Sequence, residues 1–84
     1  MTQLHAIDII KQFTLLNKMM YDNKDAVSVE SHDDSIRTHL YILIDVVTND
    51  LEYVIVVDGF EWRGNWAEIT RIAWAYFGNA SVLV

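Results

Sequence analysis

"HLYILIDVVTNDLEYVIVVD", residues 39–58, decides the fold. Its first part, residues 39–47, alternates: Leu40, Ile42, Ile44 and Val46 fall on one side of an extended chain, and Tyr41, Leu43, Asp45 and Val47 on the other. The polar turn "TNDL" at 48–51 interrupts the run. "EYVIVVD" at 52–58 then resumes with residues that are β-branched or aromatic almost throughout. Two such runs around a short polar turn predict an antiparallel hairpin. Both of its faces are apolar. Whichever face meets the core, the other keeps Tyr41, Leu43, Val54 and Val56 or a similar set, where a solvent-facing antiparallel sheet would turn polar. Either helices cover both faces or a second chain buries one. These four residues, with Trp62, are therefore the candidate apolar interface, and a homodimer is one arrangement that would use it.

Outward from the hairpin, "AVSVE" at 26–30 places Val27 and Val29 opposite Ser28 and Glu30, the pattern of a short edge strand with one wet face. Before it, residues 3–21 carry Ala6, Ile9, Ile10, Phe13, Leu16 and Met20 at helical spacing, and "DNKD" at 22–25 supplies turn residues. Ile7, Leu15 and Met19 widen that stripe beyond one packing surface, which leaves part of the helix for a partner. After the hairpin, Asn65 and Glu68 stand at capping-box spacing and start a second helix near Trp66. It runs to about Phe77 with Trp66, Ile69, Ile72, Ala73 and Tyr76 as its stripe. Gly78 is expected in a left-handed C-cap. Trp62 is expected to close over the start of this helix, and "ASVLV" at 80–84 is a candidate last strand. The prediction is one α+β domain over residues 1–84: an N-terminal helix, a three-stranded antiparallel sheet, a second helix and a short C-terminal strand.

Composition limits the function. With 84 residues and neither cysteine nor proline, there is no disulfide framework and no thiolate metal site. Twelve acids against six bases leave a net charge of −6, which disfavours direct nucleic-acid or anionic-membrane binding and points to a neutral or basic protein partner. "MTQLHAID" has no basic leader followed by a long apolar stretch, and the longest uncharged tract, 72–84, is short and interrupted; a cytoplasmic protein off the membrane is expected.

The densest chemistry lies in "ESHDDSIRTH", residues 30–39. A metal site from His32, Asp33, Asp34 and His39 needs three or four converging ligands, and a triad from Ser31, Ser35, His32 and Asp33 needs facing side chains. Adjacent positions in a loop between strands supply neither. The glycines, Gly59, Gly64 and Gly78, form no phosphate loop. A non-enzymatic protein without metal or cofactor is expected. The simpler use of Glu30, Asp33 and Asp34 is as the flank of a negative face complementary to a basic groove.

"NKDAVSVESHDDS" followed by "LYILIDVVTNDLEYVI", roughly residues 23–56, resembles a stretch of small phage-encoded type II anti-CRISPR inhibitors. The shared features are the "NKD" lead-in, a Val-rich strand, a "DS" connection, and a strand pair joined around "ND" and continuing "EYVI". The resemblance implies a helix, three antiparallel strands and a helix. It also implies carboxylates near the hairpin turn that imitate DNA phosphates in the groove where a CRISPR effector nuclease reads its short duplex signal. The positions that match are Asn49, Asp50 and Glu52. This chain departs from those inhibitors where it ends in "IAWAYFGNASVLV" rather than in an acidic segment. Two other functions fit the composition: an immunity or antitoxin-like inhibitor of a basic nuclease toxin, and a homo-oligomeric structural module using the apolar sheet face.

Overall fold

The computed structural model describes residues 5–33 and 37–78. The order is α1 (Ala6–Asp22), β1 (Ser28–Asp33), β2 (Thr38–Ile44), β3 (Leu51–Val57), β4 (Phe60–Gly64) and α2 (Trp66–Phe77). The four strands form one antiparallel meander in the order β1-β2-β3-β4. The α+β class, both helices and the central hairpin therefore stand as read from the sequence.

The hairpin register explains the packing. Tyr41 lies opposite Val54, Leu40 opposite Ile55, and Ile42 opposite Tyr53. Leu40, Ile42, Tyr53 and Ile55 share one face. They pack on Ala6, Ile9, Phe13, Leu16 and Met20 of α1 and on Ile69 and Ala73 of α2. Both helices thus cover the same face of the sheet, and the domain is a two-layer sandwich. Phe13 meets the Tyr53 ring edge-on at a centroid distance of 5.3 Å. The Tyr53 hydroxyl donates to Asn17 Oδ1 at 2.7 Å, which satisfies a polar tip inside the apolar layer. Burial raises the Tyr53 pKa, and the Asn17 hydrogen bond opposes the shift.

The structure corrects the sequence reading in several places. A fourth strand, Phe60–Gly64, lies between β3 and α2, where the sequence predicts none. Its cause is the two-residue turn Asp58-Gly59, with φ of 50° and 85°, which pairs Val57 with Phe60. Positive φ at both central positions is the hairpin geometry that Asp-Gly favours. Trp62 consequently belongs to β4. It contacts Tyr76 and Phe77 at centroid distances of 5.5 and 5.4 Å, so it covers the C-terminal end of α2 and not its start. Strand β1 runs to Asp33, and His32 pairs in register with His39; His32 and Asp33 are strand residues, not loop residues. Strand β2 ends at Ile44, which leaves Val46 and Val47 exposed in the following loop.

Helix α2 begins as expected. Asn65 Oδ1 accepts from the Glu68 amide at 2.8 Å, and Glu68 Oε1 accepts from the Asn65 amide at 3.0 Å. Such a cap contributes about 1 kcal/mol. Within its stripe Ile69 and Ala73 are buried, whereas Trp66 and Tyr76 lie at the exposed margin. The C-cap differs from expectation: Gly78 has φ −82° and ψ −19°, right-handed and not left-handed. A Cβ there would lie 2.5 Å from the Trp74 carbonyl oxygen, so glycine serves a close approach rather than a positive φ. The candidate strand at 80–84 lies outside the described residues, as do Asp34 and Ser35.

Candidate protein-interaction site

The sheet face turned away from the helices is built by the alternate residues of each strand. Its centre is Tyr41, Leu43, Val54 and Val56, and among the described residues no element packs over it; Trp62, grouped with them from the sequence, lies opposite Ile55 on the helix-covered face instead. Val54 is nonetheless 0% exposed. Side chains of this same face shield it. Tyr41 lies directly opposite on β2, on the same face as Glu61, which pairs with Val56. Arg63 lies opposite Val54 on the other side.

Arg63 organises the rim. Its Nε donates to Glu61 Oε2 at 2.6 Å and its Nη1 to Glu52 Oε1 at 2.7 Å, so one guanidinium holds two carboxylates across β3 and β4. At the other side of the sheet, His39 Nε2 and Glu30 Oε2 are 2.7 Å apart, and the His39 ring lies against Tyr41 at 5.0 Å. The open face therefore has an apolar centre inside a rim of Glu30, Glu52 and Glu61 with Arg63 and His39.

The hydrogen bond from Arg63, more than any other contact, lowers the Glu61 pKa. Because the folded value is depressed, this interaction is fully present above the unfolded value and is lost as pH falls through the folded one. Arg63→Gln is expected to return the Glu61 carboxyl to the ordinary glutamate range, measured by NMR titration of its side-chain carbon. An unchanged Glu61 titration would mean that Arg63 does not hold it.

The loop between β2 and β3 makes a second feature. Asp45 Oδ1 accepts from the amides of Val47 and Thr48 at 2.9 and 3.3 Å, and the Thr48 hydroxyl accepts from the Asp50 amide at 3.2 Å. Asn49 takes φ 66°, a left-handed conformation that asparagine tolerates. This loop meets the start of α2 across an open groove of about 480 Å³, where Asp45, Asp50, Glu52 and Glu68 lie along the walls beside Thr48 and Asn65. No lysine or arginine is among the residues lining it.

These placements separate residues that the sequence grouped together. Asp50 and Glu52 share the acidic groove, whereas Asn49 borders a different cleft, beside Lys18 and Lys24. Glu30 and Glu52 share the open face. Asp33, opposite Thr38, is at the far end of the strands, about 20 Å from the β2–β3 loop at ~3.4 Å per residue. The acids therefore do not form one continuous flank. Glu61, Arg63, Asp45 and Glu68 are not among the candidate partner-binding residues read from the sequence, where Glu68 figured only as a helix cap. The alternation of Phe60 and Trp62 with Glu61 and Arg63, directly after Asp58-Gly59, was the signal available for the first two.

Among the described residues no group of three or more histidines, aspartates or glutamates is arranged to hold a metal ion, and no helix is long and apolar enough to cross a membrane. No protein-family model, curated protein or solved structure matches this chain.

Proposed function

We propose that this protein is an acidic binding module that inhibits a nucleic-acid-handling protein by filling a basic groove with carboxylates. The observation that carries the reading is the groove between the β2–β3 loop and α2, which gathers Asp45, Asp50, Glu52 and Glu68 with no cation among its lining residues. Three of these side chains are already held: Asp45 by loop amides, Glu52 by Arg63 and Glu68 by the capping box. A carboxylate accepts several hydrogen bonds, so each keeps acceptor capacity for a partner's lysine or arginine. Groups fixed before binding lose less conformational freedom when the complex forms. The resemblance of residues 23–56 to phage-encoded type II anti-CRISPR inhibitors makes the duplex-reading groove of a CRISPR effector nuclease the first partner to test. The function is binding, not catalysis.

The test is competition. The protein is expected to displace a short duplex carrying the recognition signal from a type II effector–guide complex, with an affinity that falls as salt rises. Asp50→Lys with Glu68→Gln should weaken that competition by roughly a hundredfold, because a close charge pair in a desolvated interface is worth more than 1.4 kcal/mol, or tenfold. Competition that is indifferent to these substitutions and to salt would overturn the reading.

A further inference from the structure

The two-layer sandwich leaves two outer surfaces of opposite character. One is the open sheet face, apolar at the half-buried Tyr41, Leu43 and Val56 around the fully buried Val54, and rimmed by Glu30, Glu52 and Glu61 with Arg63 and His39. The other is the outward side of α1. There Ile7, Leu15 and Met19 are each about half exposed, and a shallow hollow runs along Ile7, Lys11 and Leu15. Lys11 and Lys18, both exposed, continue this line. The outward side of α1 carries Lys11 and Lys18 with the exposed Asp8 and Asp22, and the sheet rim carries three glutamates against Arg63 and His39, so the faces are complementary in hydropathy and, where Lys11 and Lys18 meet glutamates, in charge.

The spacing agrees. Lys11 and Lys18 are seven residues apart, two helical turns on one line, or about 10.5 Å at ~1.5 Å per residue. Glu30 lies level with Tyr41 and Val54, two strands from β3, and Glu52 is two residues along β3 from Val54. With strands ~4.8 Å apart and a rise of ~3.4 Å per residue, the two carboxylates are separated by about 12 Å. A helix crossing the sheet diagonally sets Lys11 and Lys18 over Glu30 and Glu52, with Leu15 between them over Tyr41 and Leu43. Pairing two sheet faces would instead bring acidic rim against acidic rim.

We propose that the protein self-associates head to tail, with the outer face of α1 in one copy seated on the open sheet face of the next. The contact is heterologous: each copy uses one surface to donate and the other to receive. The assembly adds a helix layer to the uncovered side of every receiving sheet. It shares Glu52 with the acidic groove, and Lys11→Glu/Lys18→Glu, which leaves every residue lining that groove unchanged, separates it from the inhibitory function.

Sedimentation velocity over rising protein concentration tests this, with circular dichroism to verify that each variant is folded. Wild type is expected to exceed its 9.7 kDa monomer mass as concentration rises. Lys11→Glu/Lys18→Glu and Glu30→Lys/Glu52→Lys should each, alone, shift association to at least about tenfold higher concentration. An equimolar mixture of the two variants should restore it, because every reversed helix then meets a reversed sheet. Three results would overturn the proposal: a strictly monomeric wild type, a mixture that stays monomeric, or association of either variant alone at wild-type concentrations. If it is Lys11→Glu/Lys18→Glu that still associates alone, the contact is sheet to sheet; if it is Glu30→Lys/Glu52→Lys, helix to helix.

Discussion

Phe13→Ala is expected to cost about 3–5 kcal/mol, the range for truncating a buried phenylalanine. A domain of this size has a total stability of only about 4–13 kcal/mol. Phe13 is 1% exposed at the centre of α1 and is the largest fully buried side chain. Its ring supplies the edge-to-face contact with Tyr53, whose other flank meets Trp66 at 5.2 Å. Removing it leaves a cavity where α1, β3 and the first turn of α2 meet. The expected result is a large drop in the urea midpoint, with a substantial unfolded population at room temperature if the wild type lies near the low end of that range. A shift below about 1 kcal/mol would mean that the helix layer does not depend on this contact.

The second large effect is a contrast between neighbours. Ile55 and Val54 are adjacent on β3 and both 0% exposed, yet they face opposite sides of the sheet. Ile55→Ala opens the helix–sheet interior and should cost about 2–5 kcal/mol. Val54→Ala removes two methyl groups from beneath Tyr41 and Arg63, which can settle into the space, and should cost no more than about 1.6 kcal/mol in the monomer at ~0.8 kcal/mol per buried carbon. Paired chemical denaturation at low protein concentration measures both. Equal losses would show that the open face is as constrained as the interior.

The parts of this fold that were legible in the sequence are those where periodicity is long or a side chain signals its own role. Helix α1 repeats its buried positions over 17 residues, and Asn65 with Glu68 marks the start of α2 by a reciprocal pair of hydrogen bonds. Strand β4 is only five residues long, and its glycine and aromatics also suit the approach to a helix. Asp58-Gly59 was its marker, but a turn signal needs a recognised strand on each side. Which face the helices cover was illegible for a different reason. Tyr41, Leu43, Val54 and Val56 are as apolar as the residues behind them, and only the tertiary placement of α1 and α2 distinguishes the two sets.

The candidate site was legible in type more than in place. Acidity marked the chain as a partner for a basic surface. Strand register then divided the carboxylates between the groove, the open face and the far end of the sheet. The Arg63 clamp was invisible because its two partners, Glu52 and Glu61, lie on different strands.

The meander also has a kinetic meaning. Every strand bonds to the strand beside it in the chain, so the whole sheet assembles by closing short loops, and short closures sacrifice little chain entropy before the pairing contacts form. The long-range steps are those of α1, which must meet β2, Tyr53 of β3 and, about fifty residues of chain away, α2. During synthesis α1 emerges first, and its apolar stripe must wait for almost the entire domain before it is fully covered.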